Sequence, residues 1–340
     1  MEIKTTRIAW VDALKGFAIL LVVLGHSIQE MIPDYDQNMV FRYIYSFHMP
    51  LFMFLSGYVS YKVSEWNSVV KRFWQLMVPF FSAIVLNYLI YQFARFSIGG
   101  LGDYFVSVIL RPDRGLWFLW VLFFIHILFI GCRKVAKAVS VDERIVVLGV
   151  AGILNLVELL TRFELFGYHW IAWYFIFFTL GAYWRISDRN DRPRLNRRIL
   201  IANVILFPIL AGFFRMHNCP PPGLYRWIDL GPYFPVIYRL VVALSGIALS
   251  FEFFRFFCKE QHILCKLLVI VGGGTLGIYY LHFCLLSLLS ALPLFGKRPI
   301  GLSVLLLWLL TSAGSYGLVV LLRKNRYTQL LILGNNTFGK

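Results

Sequence analysis

Asp12, Lys15 and His26 fall within one apolar run, RIAWVDALKGFAILLVVLGHSI, residues 7–28. An acid, a base and an imidazole are the side chains by which proton transfer is done, and His is the one whose ordinary pKa of about 6.5 lets it take and return a proton near neutrality. The spacing puts them on one side of a helix. At ~100° per residue, the steps from Lys15 to His26 come to about 1100°, some 20° past three full turns, and Asp12 projects within about 40° of His26. Along the axis Lys15 and His26 are roughly 16 Å apart, so they cannot touch directly. Asp12 is near enough to pair with Lys15 and too far to orient His26. A span built only for anchorage has no need of these residues, because an ionisable group inside a membrane is costly and marks function by default.

Two more histidines stand at comparable depth. His48 opens the apolar stretch SFHMPLFMFLSGY, about five residues past an outer loop, which in an antiparallel pair places it level with His26. His282, in GGGTLGIYYLHF, lies about 22 Å along its span from the cytoplasmic end, again in the outer half. Pro50 frees a backbone carbonyl, and Gly57, Gly272, Gly273, Gly274 and Gly277 permit close helix approach or a locally opened backbone. His126 lies toward the inner end of its span and reads as a structural histidine; Ser56 in Ser-Gly reads as a packing contact. No HExxH, no P-loop, no GxSxG elbow and no cluster at metal-ligand spacing is present. A metalloprotease, an ATPase and a soluble-type serine hydrolase are therefore disfavoured, and no metal is expected.

The elements that must hold these residues are membrane helices. The chain of 340 residues is 59% hydrophobic, 18% aromatic and only 15% charged, with a mean hydropathy of +0.70, outside the range of soluble globular domains. A bilayer core of about 30 Å needs roughly 20 apolar residues per helix. Stretches 8–28, 43–62, 73–93, 116–131, 145–160, 169–184, 199–214, 236–256, 267–290 and 300–322 meet that need. The expected fold is thus all-α: a polytopic transmembrane bundle of about ten spans, forming a single integral-membrane domain over residues 1–340 with no appended soluble domain. The first run lacks a small-residue cleavage site and carries charges, so it reads as a retained helix.

A net charge of +16 raises nucleic acid as a partner, but the basic residues are scattered through short loops, with no recognition face. Topology accounts for them: with a cytoplasmic N-terminus, the larger share of the Lys and Arg falls in cytoplasmic segments, which places both termini inside. The most basic piece, RISDRNDRPRLNRR at 185–198, reads as a cytoplasmic retention signal, with anion binding the other reading. The outer segment Cys219-Pro220-Pro221-Pro222-Gly223 is a stiff turn in which helix cannot continue. Five cysteines without CxxC pairing make a disulfide framework an unlooked-for feature.

WVDALKGFAILLVVLGH, FHMPLFMFLSGY, LWFLWVLFF, FIFFTLGAYW and GIYYLHF, in that order along nearly the whole chain, resemble the helix signatures of the integral-membrane acyltransferase family 3, in its carbohydrate O-acetyltransferase branch. In the first, a basic residue precedes a histidine by eleven positions. The resemblance implies transfer of an acyl group, usually acetyl, from cytoplasmic acetyl-CoA to a sugar hydroxyl of a lipid-linked or cell-surface glycan, in the bacterial cytoplasmic (inner) membrane. It implies acetyl-CoA, the glycan acceptor and membrane lipids as partners. Two positions depart from the family pattern. The usual arginine of the first helix is Lys15, which keeps the charge and loses the planar fork. In KRFWQLMVPF the usual second arginine is Gln75, which leaves Lys71 and Arg72 as contacts for the coenzyme A phosphates.

On this reading His26 is the general base, Asp12 and Lys15 complete the catalytic face, and Lys15 serves alternatively as a donor-side contact. His48, His282 and Trp117 line the substrate channel. The competing readings are a transporter or exporter of glycan, with the polar residues lining a path, and a non-catalytic scaffold, which leaves the one-sided face of the first helix without a cause.

Overall fold

The computed structural model describes residues 8–61, 66–95, 100–188, 197–217, 234–258, 262–296 and 298–335. Within them the chain is helical throughout, with no strand. The stretches read as spans fall on helices, one helix each except 267–290, which falls on two. Seven helices are long and apolar enough to cross a membrane: Ala9–Met31, Asn67–Ile90, Trp117–Ala138, Glu143–Thr161, Leu165–Ser187, Phe234–Phe257 and Ile300–Leu322. The pair Ile263–Gly272 and Thr275–Ser290, bent by 79°, makes an eighth if it is one span. The remaining two stretches are helical but do not reach this measure. Arg198–Phe213 is too short, and Met39–Ser60 carries Arg42, His48, Pro50 and several hydroxyls. The protein is a polytopic helical membrane protein.

The chain divides into two compact units. One comprises Met1–Leu55 with Asp188–Leu318, the other Ser56–Ser187 with Val319–Lys340. In the first unit, Ala9–Met31 is the hub, packed against Phe234–Phe257, Ile263–Gly272 and Thr275–Ser290. Its buried residues, Val11, Ala13, Leu14, Gly16, Ala18, Ile19, Val22, Val23, Gly25, Ser27 and Ile28, go around most of its circumference, as they must in a helix enclosed by others. Closeness comes from glycine. A Cβ at Gly16 would overlap the Leu268 carbonyl, and one at Gly272 would overlap the Asp12 carbonyl, so the two backbones touch. Just past Gly272 the second helix of the pair starts anew at Thr275, whose hydroxyl donates to the Gly272 carbonyl at 2.6 Å. The Trp308 indole donates to the Leu20 carbonyl at 2.9 Å, tying Ile300–Leu322 to the hub.

In the second unit, Gly57 plays the same part: a Cβ there would overlap the Phe178 carbonyl. Asn67–Ile90 contains a π-helical turn, Phe73–Met77, a wide turn of the kind found at functional positions. Arg133 bridges Glu143 at 2.9 Å, and Arg185 donates to the Tyr58 hydroxyl at 2.8 Å while lying over its ring.

Among the described residues the cysteines make one bridge. Cys258, just past Phe234–Phe257, and Cys265, within Ile263–Gly272, are bonded, with Cα atoms 5.6 Å apart. Cys132 and Cys284 are free. The Cys219–Gly223 turn and residues 189–196 of the basic loop lie outside the described residues.

Candidate functional site

In the first unit, the hub helix presents Asp12 and Lys15 near one end and His26 near the other. Lys15 Nζ is 3.4 Å from Asp12 Oδ1, and both side chains are partly exposed. The two form a local pair, and Asp12 in the first turn also lies at the helix end that favours negative charge.

His26 is surrounded by rings: Phe283 at 4.4 Å, His282 at 5.3 Å and Tyr45 at 6.2 Å between centroids. Tyr45 in turn is 4.7 Å from the His48 ring. Thus the structure brings together His26, His48 and His282, which come from three helices. His26 keeps some solvent exposure, whereas His48 and His282 are buried.

Their hydrogen bonds share one pattern. His26 Nδ1 is 2.8 Å from Gln29 Oε1, and the Tyr45 hydroxyl donates to the same oxygen at 2.5 Å and is 3.3 Å from Nδ1. His48 Nδ1 lies 2.8 Å from the Ile44 carbonyl. His282 Nδ1 lies 2.7 Å from the Tyr279 carbonyl and 3.1 Å from that of Ile278. Carbonyl oxygens only accept, so in all three rings Nδ1 carries the proton and Nε2 of the neutral ring is a lone pair. Among the described residues none of the three Nε2 atoms has a partner, and that of His282 is fully buried. A buried acceptor left without a donor is costly, and an O–H from a bound molecule would satisfy it.

In the second unit, Arg72 is half-buried and donates to Gln75 Oε1 at 3.0 Å and to Ser60 Oγ at 3.0 Å. Among the described residues it has no carboxylate partner. Lys71 is exposed beside it. Trp117 packs in an aromatic group with Trp170 at 4.6 Å and Tyr174 at 5.5 Å. His126 is satisfied on both nitrogens, by the Leu122 carbonyl at 2.7 Å and by Ser60 Oγ at 3.2 Å. No group of three His, Cys, Asp or Glu is arranged to hold a metal among the described residues.

The family model for the acyltransferase domain matches residues 8–324. The chain belongs to this acyltransferase family. Relatives include the nodulation protein NolL of Sinorhizobium fredii, 33% identical over 164 residues that make up 44% of each chain. NolL of Mesorhizobium japonicum is 32% identical over 125 residues, 34% of each chain. The chain thus aligns with less than half the length of these relatives. No solved structure matches it.

For an acyltransferase-family chain, several polar residues at these two places escaped the sequence reading. Gln29 follows His26 by three positions and so shares its face, a signal open to inspection. Tyr45 and Ser60 reach their partners only through the tertiary fold, and their sequence contexts do not mark them, whereas Gln75, noted above as a departure from the family pattern, meets Arg72 from three positions along the same helix. Glu252 is also buried, with Oε1 lacking a partner; it hides in the aromatic run FEFFRFF.

Proposed function

We propose that this protein transfers an acyl group, in the first instance acetyl, from cytoplasmic acetyl-CoA to a sugar hydroxyl of a lipid-linked or cell-surface glycan, in the bacterial cytoplasmic membrane. The observation that carries the reading is His26: its Nδ1 is held by Gln29, its hydrogen bonds among the described residues are all at Nδ1, and a second imidazole with an orphaned buried Nε2 stands beside it. Such an arrangement suits a ligand that brings more than one hydroxyl.

In the proposed reaction, His26 Nε2 takes the proton of the acceptor hydroxyl as its oxygen attacks the thioester carbonyl. The carbon–sulfur bond breaks, and the coenzyme A thiolate recovers the proton from the imidazolium. An ester and free coenzyme A result. His48 and His282 accept hydrogen bonds from other groups of the acceptor. Asp12 and Lys15, as a pair, hold the charged end of the same helix at low cost. Lys71 and Arg72 contact donor phosphates; Arg72, a cation whose partners are neutral, has donors and charge left for an anion. Trp117, in its aromatic group, lines the substrate path.

Membranes carrying the protein, given acetyl-CoA labelled in the acetyl group, should pass label to glycan, and His26→Ala should reduce the rate roughly 10²–10⁴-fold. Near-normal turnover in folded His26→Ala would sink the mechanism. A wild-type protein that moves glycan without labelling it would point to the exporter.

A further inference from the structure

Ser60 closes the Met39–Ser60 helix and His126 lies midway along Trp117–Ala138. Both are buried, and both belong to one directed chain of hydrogen bonds. The His126 Nδ1–H donates to the Leu122 carbonyl, which leaves Nε2 of the neutral ring as an acceptor. That atom is 3.2 Å from Ser60 Oγ, while Arg72 Nη2 donates to the same oxygen at 3.0 Å. A guanidinium cannot accept, so the Ser60 proton has one destination, His126 Nε2. On its other side, Arg72 Nη1 donates to Gln75 Oε1, within the π-helical turn. Gly334, at φ 63°, lies so close over the Gln75 carbonyl that a Cβ would overlap it. The ring of Phe178 meets His126 edge-on at 4.9 Å.

We infer that Ser60 and His126 are positioning residues for Arg72. This rests on the proposed role of Arg72 as a donor-phosphate contact. A guanidinium has five N–H donors in a rigid fork, and its long stem has much rotamer freedom to lose. Two donors are committed here to neutral acceptors, which fixes the fork without consuming its charge. The remaining donors then meet an anionic group at a smaller entropic cost than a free side chain would incur. His126 matters because it makes the Ser60 hydroxyl a dedicated acceptor for Arg72. With an apolar residue at 126, the hydroxyl loses the acceptor of its own proton and turns away.

The test is binding of acetyl-CoA to the purified full chain in detergent, with size-exclusion profile and thermal midpoint as folding checks. Arg72→Gln should weaken binding roughly 10–100-fold, the range for hydrogen bonds to a charged group. Ser60→Ala and His126→Leu should each weaken it about three- to tenfold, the scale of a neutral hydrogen bond. His126→Gln, whose amide oxygen can accept from Ser60, should stay within about twofold of wild type. Ser60→Ala added to Arg72→Gln should cost nothing more, because both act through one group; simple additivity would make Ser60 independent of Arg72 and overturn the inference. If His126→Leu does not fold, Ser60→Ala carries the same prediction through a smaller change. Wild-type affinity in Ser60→Ala alongside weak binding in Arg72→Gln overturns the positioning role alone. Wild-type affinity in Arg72→Gln overturns the donor-site reading together with it.

Discussion

Gln29 is the residue on which the proposed chemistry of His26 depends most directly. Its amide oxygen receives both the imidazole Nδ1–H and the Tyr45 hydroxyl, so it selects the tautomer and stops the ring from turning. Replacing it with Leu should lower kcat roughly tenfold, about the worth of one hydrogen bond, with KM for acetyl-CoA nearly unchanged. Gln29→Glu keeps an oxygen acceptor and should retain more of the rate than Gln29→Leu. In a His26→Ala background Gln29→Leu should have no further effect; a full additional loss would mean that Gln29 acts elsewhere. Kinetics of acetyl transfer by the purified variants measure all three. At this scale the histidines were legible in the sequence, because an imidazole in an apolar run stands out and helix period gives its face. Their partners were less so. Tyr45 is one aromatic among many, and only the packing of the second helix against the first makes it a neighbour of His26.

The hub helix and the broken pair beside it show how glycine positions the histidines. His282 reaches the His26 ring because the two backbones are in contact at Gly16 and Gly272 and because the chain bends 79° before Thr275. Gly272-Gly273-Gly274 predicted either close approach or an opened backbone, and the structure has both. Gly16, in contrast, gave no sign of what it would meet, since nothing in a sequence pairs it with Leu268. Gly16→Val forces a side chain into a carbonyl that belongs to backbone, and the cost should reach or exceed the upper end of about 1–3 kcal/mol usual for overpacking. A thermal-unfolding series in detergent should show Gly16→Val well below wild type and Gly131→Ala close to it, since a Cβ at Gly131 meets nothing within 4 Å. A Gly16→Val protein as stable as wild type would mean that this helix contact is looser than described. One site helix, Met39–Ser60, is less apolar than the spans around it for a physical reason: it trades apolar residues for polar ones such as Arg42 and His48.

For the molecule as a whole, the mechanism depends on which side of the membrane each end of the hub helix faces. From a cytoplasmic start near Ile8, His26 lies about 27 Å along the axis, in the outer half of a core about 30 Å thick. The acyl group would then start from a cytoplasmic thioester and finish on an acceptor approached from outside. That orientation is an inference from charge: basic residues such as Arg133, Lys134 and Lys137 fall on the side assigned to the cytoplasm, where the positive-inside rule puts them. Fusions made after Ser140 and after Lys340 test it. Green fluorescent protein should fluoresce at both positions, and alkaline phosphatase should be inactive at both, because it matures only outside the cytoplasm. Active phosphatase at both sites would invert the helix and bring His26 toward the cytoplasmic face. Donor and acceptor would then meet on the same side, and transfer across the membrane would no longer be required. The general-base role of His26 would survive that result, since it rests on Gln29 and the open Nε2 rather than on depth; the outward route through His48 and His282 would not.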